Sequence, residues 1–455
     1  MSCPEVMTQT GLVRGFECNG VFKFRGVPYC KPTTGEGRFK PAQAAEAWDG
    51  VLDCTKETPI APQGPSDLEG PMGPLNRRYD EDCLTLEIST PNVNEKLPVA
   101  VWFHGGANVS GAGNIDWYDG SELARQGHMV VVGVNFRIGA LGFLVHPALN
   151  TDNLSIMDQI EALRWVQKNI HAFGGDPDNV TVFGQSAGGN AIVHMMGLEE
   201  ADGLFQKAIL ESPSIGRGNH TMQDAITVSE SIFKHLGLSA TDPQLGEKIR
   251  SKSVDEILAA TDACFKQDCG AKYAGMIFRP VKDEWHTTQA TIDAAVKGAA
   301  RKKLKIVIGT TADEVHAFTL ARDPESEKKS AAMQLARYDW PAQEFAARTQ
   351  EAGCPTWKYR FMWKAPDSVY DSCHTIELPF VFGTLKAWEN AAMLSGATQE
   401  EMLRLQKTMQ TLWIKFFKDG EFDEQCWPQF SRKHPVHKII DNEENGVSEV
   451  VFEQA

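Results

Sequence analysis

Two short runs, residues 98–103 (PVAVWF) and 128–134 (HMVVVGV), are apolar at almost every position. Lacking the alternation of a half-exposed strand, they predict strands buried on both faces. The polar stretch between them, 119–126, is compatible with a helix. From 155 to 170 the period changes, as Ile156, Ile160, Leu163, Val166 and Ile170 recur at helical spacing and mark one face of an amphipathic helix. The turn-forming FGGDPDN follows, and then 180–183 reads as a strand running into a glycine-flanked serine. Residues 207–210 and 305–308 predict further core strands, and alternation of strands with helices implies a mostly parallel sheet with its ligands at the carboxyl ends of the strands. The Gly- and Pro-rich residues 1–75 predict a small sheet and loops lying over the main one. Near the other end, Thr398 followed by Glu401 predicts a capping box opening a helix that runs to Lys418.

Composition narrows the class. The chain has 455 residues, is 42% hydrophobic and contains no linker-like, repetitive or low-complexity tract, so a single domain over 1–455 is expected. Its formal charge of -15 would repel phosphate backbones and excludes a nucleic-acid partner. No apolar run is long enough to span a bilayer, and the opening MSCPEVMTQTGLVRG has no signal-peptide pattern, so a cytoplasmic location is expected. Ten cysteines without paired zinc-ligand spacing predict buried free thiols and no metal site. A bridge between Cys264 and Cys269 stays open at this level, and the oligomeric state is not legible.

The strongest chemical signal is Gly184-Gln185-Ser186-Ala187-Gly188, with the strand VTVF before it and the helix-compatible AGGNAIVHMM after it. A serine in that context occupies a tight strand-to-helix turn that presents its hydroxyl as a nucleophile. Upstream, His104-Gly105-Gly106-Ala107 follows the strand VAVWF. Acyl transfer develops a negative oxygen, and backbone N–H groups at Gly106 and Ala107, with that of Ala187, can meet it.

These two motifs, together with GLVRG, FRGVPY, RFKPAQ, EDCLTLEI, NFRIGALGF, FGGDPDNVTVF and KAILES in the same order, resemble the type-B carboxylesterases, the group that includes cholinesterases and some fungal lipases. The resemblance is close over residues 5–215 and patchy beyond. It implies an α/β-hydrolase fold, no cofactor, and a small-molecule ester as substrate. It also implies the partners of Ser186: Glu314, in Asp313-Glu314-Val315 behind KIVIGTTA, and His374, in CHTIELPFVFG. Asp313 competes with Glu314 for the role of orienting acid, and Ser214 matches a serine that supports that acid in the family.

The chain also departs from its family. Gln185 stands where a glutamate is usual, Val315 where a glycine is usual, and Cys83 lacks its customary disulfide partner. No aromatic box is visible around Gly73, which argues against choline esters. The segment Tyr273-Ala274-Gly275-Met276-Ile277 matches the wall of the acyl pocket but carries small residues, so Met276 and Gln185 are candidate substrate-binding positions. Only 60 residues lead from Glu314 to His374, which implies a shortened helical lid region at 315–373 and a more open site. A bulky or natural-product ester is the substrate this predicts. Two other classes stay open: a transacylase using the same three residues, and a binding protein that has kept the fold without activity.

Overall fold

The computed structural model describes residues 3–442 and 445–449. Among the described residues, fourteen strands are distributed over two sheets. The small sheet holds β1 (Glu5–Met7), β2 (Leu12–Arg14) and β5 (Val51–Asp53). The large one has eleven strands, in chain order β3 (Phe16–Cys18), β4 (Val21–Pro28), β6 (Thr85–Thr90), β7 (Leu97–Phe103), β8 (Val130–Val134), β9 (Gly175–Gln185), β10 (Lys207–Glu211), β11 (Lys305–Thr311), β12 (Thr356–Phe361), β13 (Val436–Ile440) and β14 (Val447–Glu449). Their spatial order is β14-β13-β12-β11-β10-β9-β7-β8-β6-β4-β3. Every pairing from β8 to β13 is parallel, while β3, β4, β6 and β14 close the edges antiparallel. This is the α/β-hydrolase architecture.

The uninterrupted apolar strands are explained by a core on each face of the sheet. In β7, Val99, Val101 and Phe103 enter one cluster, and Ala100 and Trp102 enter the other. Strands β10 and β11 divide in the same way, with Ile209 and Val307 on the second face. The amphipathic helix Leu154–Asn169 covers the first face through Ile156, Ile160, Leu163 and Val166. The helix Gln399–Asp419 covers the second through Leu405, Met409, Trp413 and Phe416. It opens on a capping box, in which Thr398 Oγ1 accepts the Glu401 N–H at 3.2 Å and Glu401 accepts the Thr398 N–H at 2.9 Å.

The N-terminal region divides between the sheets. Strands β3 and β4 join the large sheet, because Val21, Phe24 and Val27 are buried and β4 pairs along β6. From Glu314 to His374 the chain contributes a short turn, the helices Pro324–Gln334 and Trp340–Glu351, and then β12 within the sheet itself. All ten cysteines are free thiols, Cys83, Cys264 and Cys269 being buried. Among the described residues no helix is long and apolar enough to cross a membrane.

One buried ion pair ties the sheet to its covering helix. Arg137, just beyond β8, meets Asp158 of the helix Leu154–Asn169 in a two-pronged contact at 2.7 and 2.6 Å. The Arg137 backbone N–H also donates to Asp158, and its third nitrogen donates to the Lys40 carbonyl at 2.8 Å.

Candidate active site

Strands β7, β9, β10 and β11 are parallel neighbours, so their carboxyl ends open onto one rim of the sheet. Strand β9 ends at Gln185 and the helix Ala187–Gly197 begins two residues later, leaving Ser186 to make the turn alone at φ 54°, ψ -119°. A non-glycine residue held there is strained and persists because its surroundings fix it. Ser186 N–H donates to the Glu211 carbonyl at the end of β10, and its carbonyl accepts from Asn190 N–H, both at 2.9 Å. The flanking glycines are required by close approach: a Cβ on Gly188 would lie 2.0 Å from the Phe103 carbonyl oxygen.

After β7 the chain turns through Gly106, Ala107 and Asn108, all at positive φ (106°, 53° and 62°). Among the described residues neither Gly106 nor Ala107 donates its N–H to a protein acceptor, and Ala187 N–H lies in the unpaired first turn of its helix. The loop is held from behind. Asn108 Nδ2 donates to Phe278 O at 3.1 Å, Gly139 N–H donates to Asn108 O at 2.7 Å, and Gln63 exchanges two bonds with the Gly111 backbone. His104 stacks on Phe136 and bonds Gly105 O through Nδ1 at 2.8 Å. Burial lowers its pKa to about 4, so at neutral pH it supports the loop as an uncharged ring.

Glu314 and His374 are fully buried and meet directly, His374 Nδ1 donating to Glu314 Oε2. The other Glu314 oxygen accepts Thr311 N–H at 2.8 Å. Asp313 is turned away, its carboxylate accepting Ser372 N–H at 3.1 Å, which fixes the backbone before His374 without touching the ring. Ser214 Oγ accepts from Asn190 and makes no bond to Glu314, in contrast to the supporting role the resemblance implied. With Nδ1–H engaged by Glu314, Nε2 carries the lone pair, and Gln185 Nε2 donates to it at 3.1 Å. No hydrogen bond joins Ser186 Oγ to His374 in this resting arrangement. The Gln185 amide occupies the nitrogen from the residue adjoining the serine.

Two more carboxyl groups lie beneath this rim. Glu211 accepts the Trp413 indole N–H at 2.7 Å, and Glu377 accepts from the Tyr359 hydroxyl at 2.8 Å. Burial raises the Glu211 pKa to about 8; burial and the charge of Glu211 hold Glu377 well above the carboxylate range. A folded-state pKa above the unfolded value stabilises fully below about pH 4.5, and the contribution is lost as pH rises toward 8. Glu211→Gln keeps an acceptor for Trp413 and removes this titration. Its urea midpoint, followed from pH 5.5 to 8.5, should fall more shallowly than that of the unmodified protein, by up to ~1.4 kcal/mol per pH unit. Parallel profiles would refute the assignment.

Some surrounding residues carried no signal in the sequence. The rings of Phe318 and Tyr338 flank His374 at centroid distances of 5.5 and 5.4 Å. Trp117 and Tyr118 line the cleft beside Gly105, Gly106, Gln185 and Thr375. Gly73 also lines this cleft, but the aromatic surface comes from 44 residues further along the chain, beyond any local pattern. Met276 faces a separate small cavity shared with Asn190, Ser214, Arg217 and Arg279.

A family model described as the carboxylesterase family matches residues 2–340 and 326–454. The chain is 37% identical to a para-nitrobenzyl esterase of Bacillus subtilis, covering 96% of this chain and 95% of that protein. It is 35% identical to a protein of Rhodococcus erythropolis named as a probable N-octanoylanthranilate hydrolase, covering 97% and 99%. A solved PNB esterase structure superposes with a TM-score of 0.86 at 32% identity, covering 98% of this chain and 97% of that one.

Proposed function

The chain belongs to the carboxylesterase family and is a serine carboxylic ester hydrolase, and we propose that Ser186, His374 and Glu314 perform the hydrolysis on an ester with a bulky acyl group. The observation carrying this reading is the buried Glu314–His374 pair, whose other ring nitrogen accepts from Gln185, the residue adjoining Ser186. Gln185 yields Nε2 when substrate enters, and His374 then takes the Ser186 proton as Oγ bonds to the ester carbonyl carbon. The N–H groups of Gly106, Ala107 and Ala187 receive the oxyanion, and their preorganisation avoids a rearrangement at the moment charge develops. His374 returns its proton to the departing alcohol as the C–O bond breaks, then activates water to release the acid. Glu314 holds the ring in one tautomer and offsets the imidazolium charge.

Support for a bulky acyl group comes from the small residues Ala274 and Gly275 and from a relative named for the hydrolysis of an N-octanoyl compound, an amide with a long acyl chain. Release of nitrophenol from nitrophenyl esters, lost in step with covalent labelling by a serine-directed phosphonate, tests the reading. Peptide mapping should place the adduct on Ser186. Turnover that persists after stoichiometric labelling, or an adduct on another serine, would overturn it.

A further inference from the structure

Carboxylates outnumber lysines and arginines by 60 to 45 in this chain, yet Arg217, Arg279 and Arg337 stand together with no carboxylate at ion-pair distance among the described residues. Arg217 and Arg279 line a small cavity with Asn190 and Ser214. Arg337 is brought alongside by close packing, because the turn Ile215–Arg217 presses on the π-turn Leu335–Asp339. A Cβ on Gly216 would lie 2.0 Å from the Ala336 carbonyl oxygen. Asp224 acts on Arg279 from further off, and its carboxylate already accepts from the Thr221 and Tyr273 hydroxyls.

Arg279 donates to the backbone carbonyls of Met276, Arg217 and Tyr273 at 3.2, 2.8 and 2.7 Å, which fixes it at the cavity. Arg217 gives a single bond, to the Ala274 carbonyl at 2.8 Å, and Arg337 gives none among the described residues. Most of their N–H groups are therefore available to a ligand. Burial, and then the charges of Arg217 and Arg337, lower the Arg279 pKa to about 10. Like charges held together out of water destabilise the fold unless something negative joins them.

Two neutral side chains complete the lining. Ser214 is buried, and its Oγ accepts from Asn190 Nδ2 at 2.9 Å, which leaves its own O–H free to donate. Asn190 Oδ1 is buried without a partner, an acceptor that the O–H of a monohydrogen phosphate or a water can fill. The cavity measures about 20 Å³, room for a compact ion and too little for an organic chain. It shares no lining residue with the cleft beside Gly105 and Gln185, although Asn190 N–H bonds the Ser186 carbonyl.

We infer that this cavity binds a compact oxyanion, a phosphate or a carboxylate group, held by the guanidiniums of Arg217 and Arg279 and the hydroxyl of Ser214 within the field of Arg337. Bonds from charged donors to an oxyanion are the strong ones, and the fixed Arg279 needs no reorganisation to make them.

Urea midpoints at pH 7.5 in sodium phosphate, sodium acetate and sodium chloride of equal ionic strength read the site without turnover, so their outcome is separate from the role given to Ser186. Phosphate or acetate should raise the midpoint over chloride, with the logarithmic concentration dependence of a single site. The anion giving the larger rise names the class of oxyanion. Arg217→Met should weaken the apparent affinity by at least roughly tenfold, and Arg337→Met by a smaller factor. In chloride alone, Arg337→Met should unfold at a higher urea concentration than the unmodified protein, the reverse of what loss of a structural arginine gives. No rise over chloride would overturn the inference. So would a rise undiminished in Arg217→Met, which is a general salt effect, or a lowered Arg337→Met midpoint in chloride.

Discussion

Glu314→Gln will lower kcat by roughly 10³- to 10⁴-fold while leaving the fold intact, because it reverses the tautomer of His374. The glutamine oxygen takes over the Thr311 N–H, which leaves its amide nitrogen facing His374 Nδ1. Two donors cannot face each other, so Nδ1 becomes the acceptor and the ring proton moves to Nε2, the nitrogen that accepts from Ser186 in the proposed mechanism. Gln185 worsens the conflict, since its amide also donates toward Nε2. Circular dichroism should match the unmodified protein, and the rate of phosphonate labelling should fall with kcat. Asp313→Asn is the companion variant: its carboxylate holds the Ser372 N–H and not the ring, so its loss should be well under a hundredfold. A Glu314→Gln enzyme within tenfold of normal, or an Asp313→Asn enzyme that is the more damaged of the two, would reassign the acid.

Removing one member of the Arg137–Asp158 pair should cost about 3–5 kcal/mol of stability. Both side chains are buried, and Asp158 is fully so. Arg137→Met therefore leaves a carboxylate out of water with only one backbone N–H on it. Most of that cost is the stranded charge, so the double variant Arg137→Met with Asp158→Leu should recover much of the stability despite losing the pair entirely. Urea midpoints for the two singles and the double give the coupling directly. Singles that add to the value of the double would show that the pair does not act as a unit.

Local physics made much of this protein legible from its sequence. The apolar strand runs, the period of the helix observed at Leu154–Asn169, the capping box at Thr398 and the Gly-x-Ser-x-Gly turn each follow from side-chain chemistry within a few residues, and each is found where that chemistry puts it. Glu314 and His374 were reached by a different route, the resemblance of their flanking segments, since periodicity cannot choose one histidine among 12.

What the sequence could not supply depends on packing between distant segments. The turn of Asp313 toward Ser372 and of Glu314 toward His374 is set by how the turn after β11 meets the histidine loop. The hold of Gln185 on Nε2, and the rings of Phe318 and Tyr338 beside His374, arise from elements that no local pattern brings together. The division of the N-terminal strands between two sheets is likewise a matter of edge pairing, open to any short strand with a buried face. The sequence by itself determined the residue types proposed for acyl transfer and the period of the elements that carry them. Only the tertiary structure decided which side chains touch, because hydrogen-bond geometry and cavity shape depend on side chains that lie far apart in the chain and close together in space.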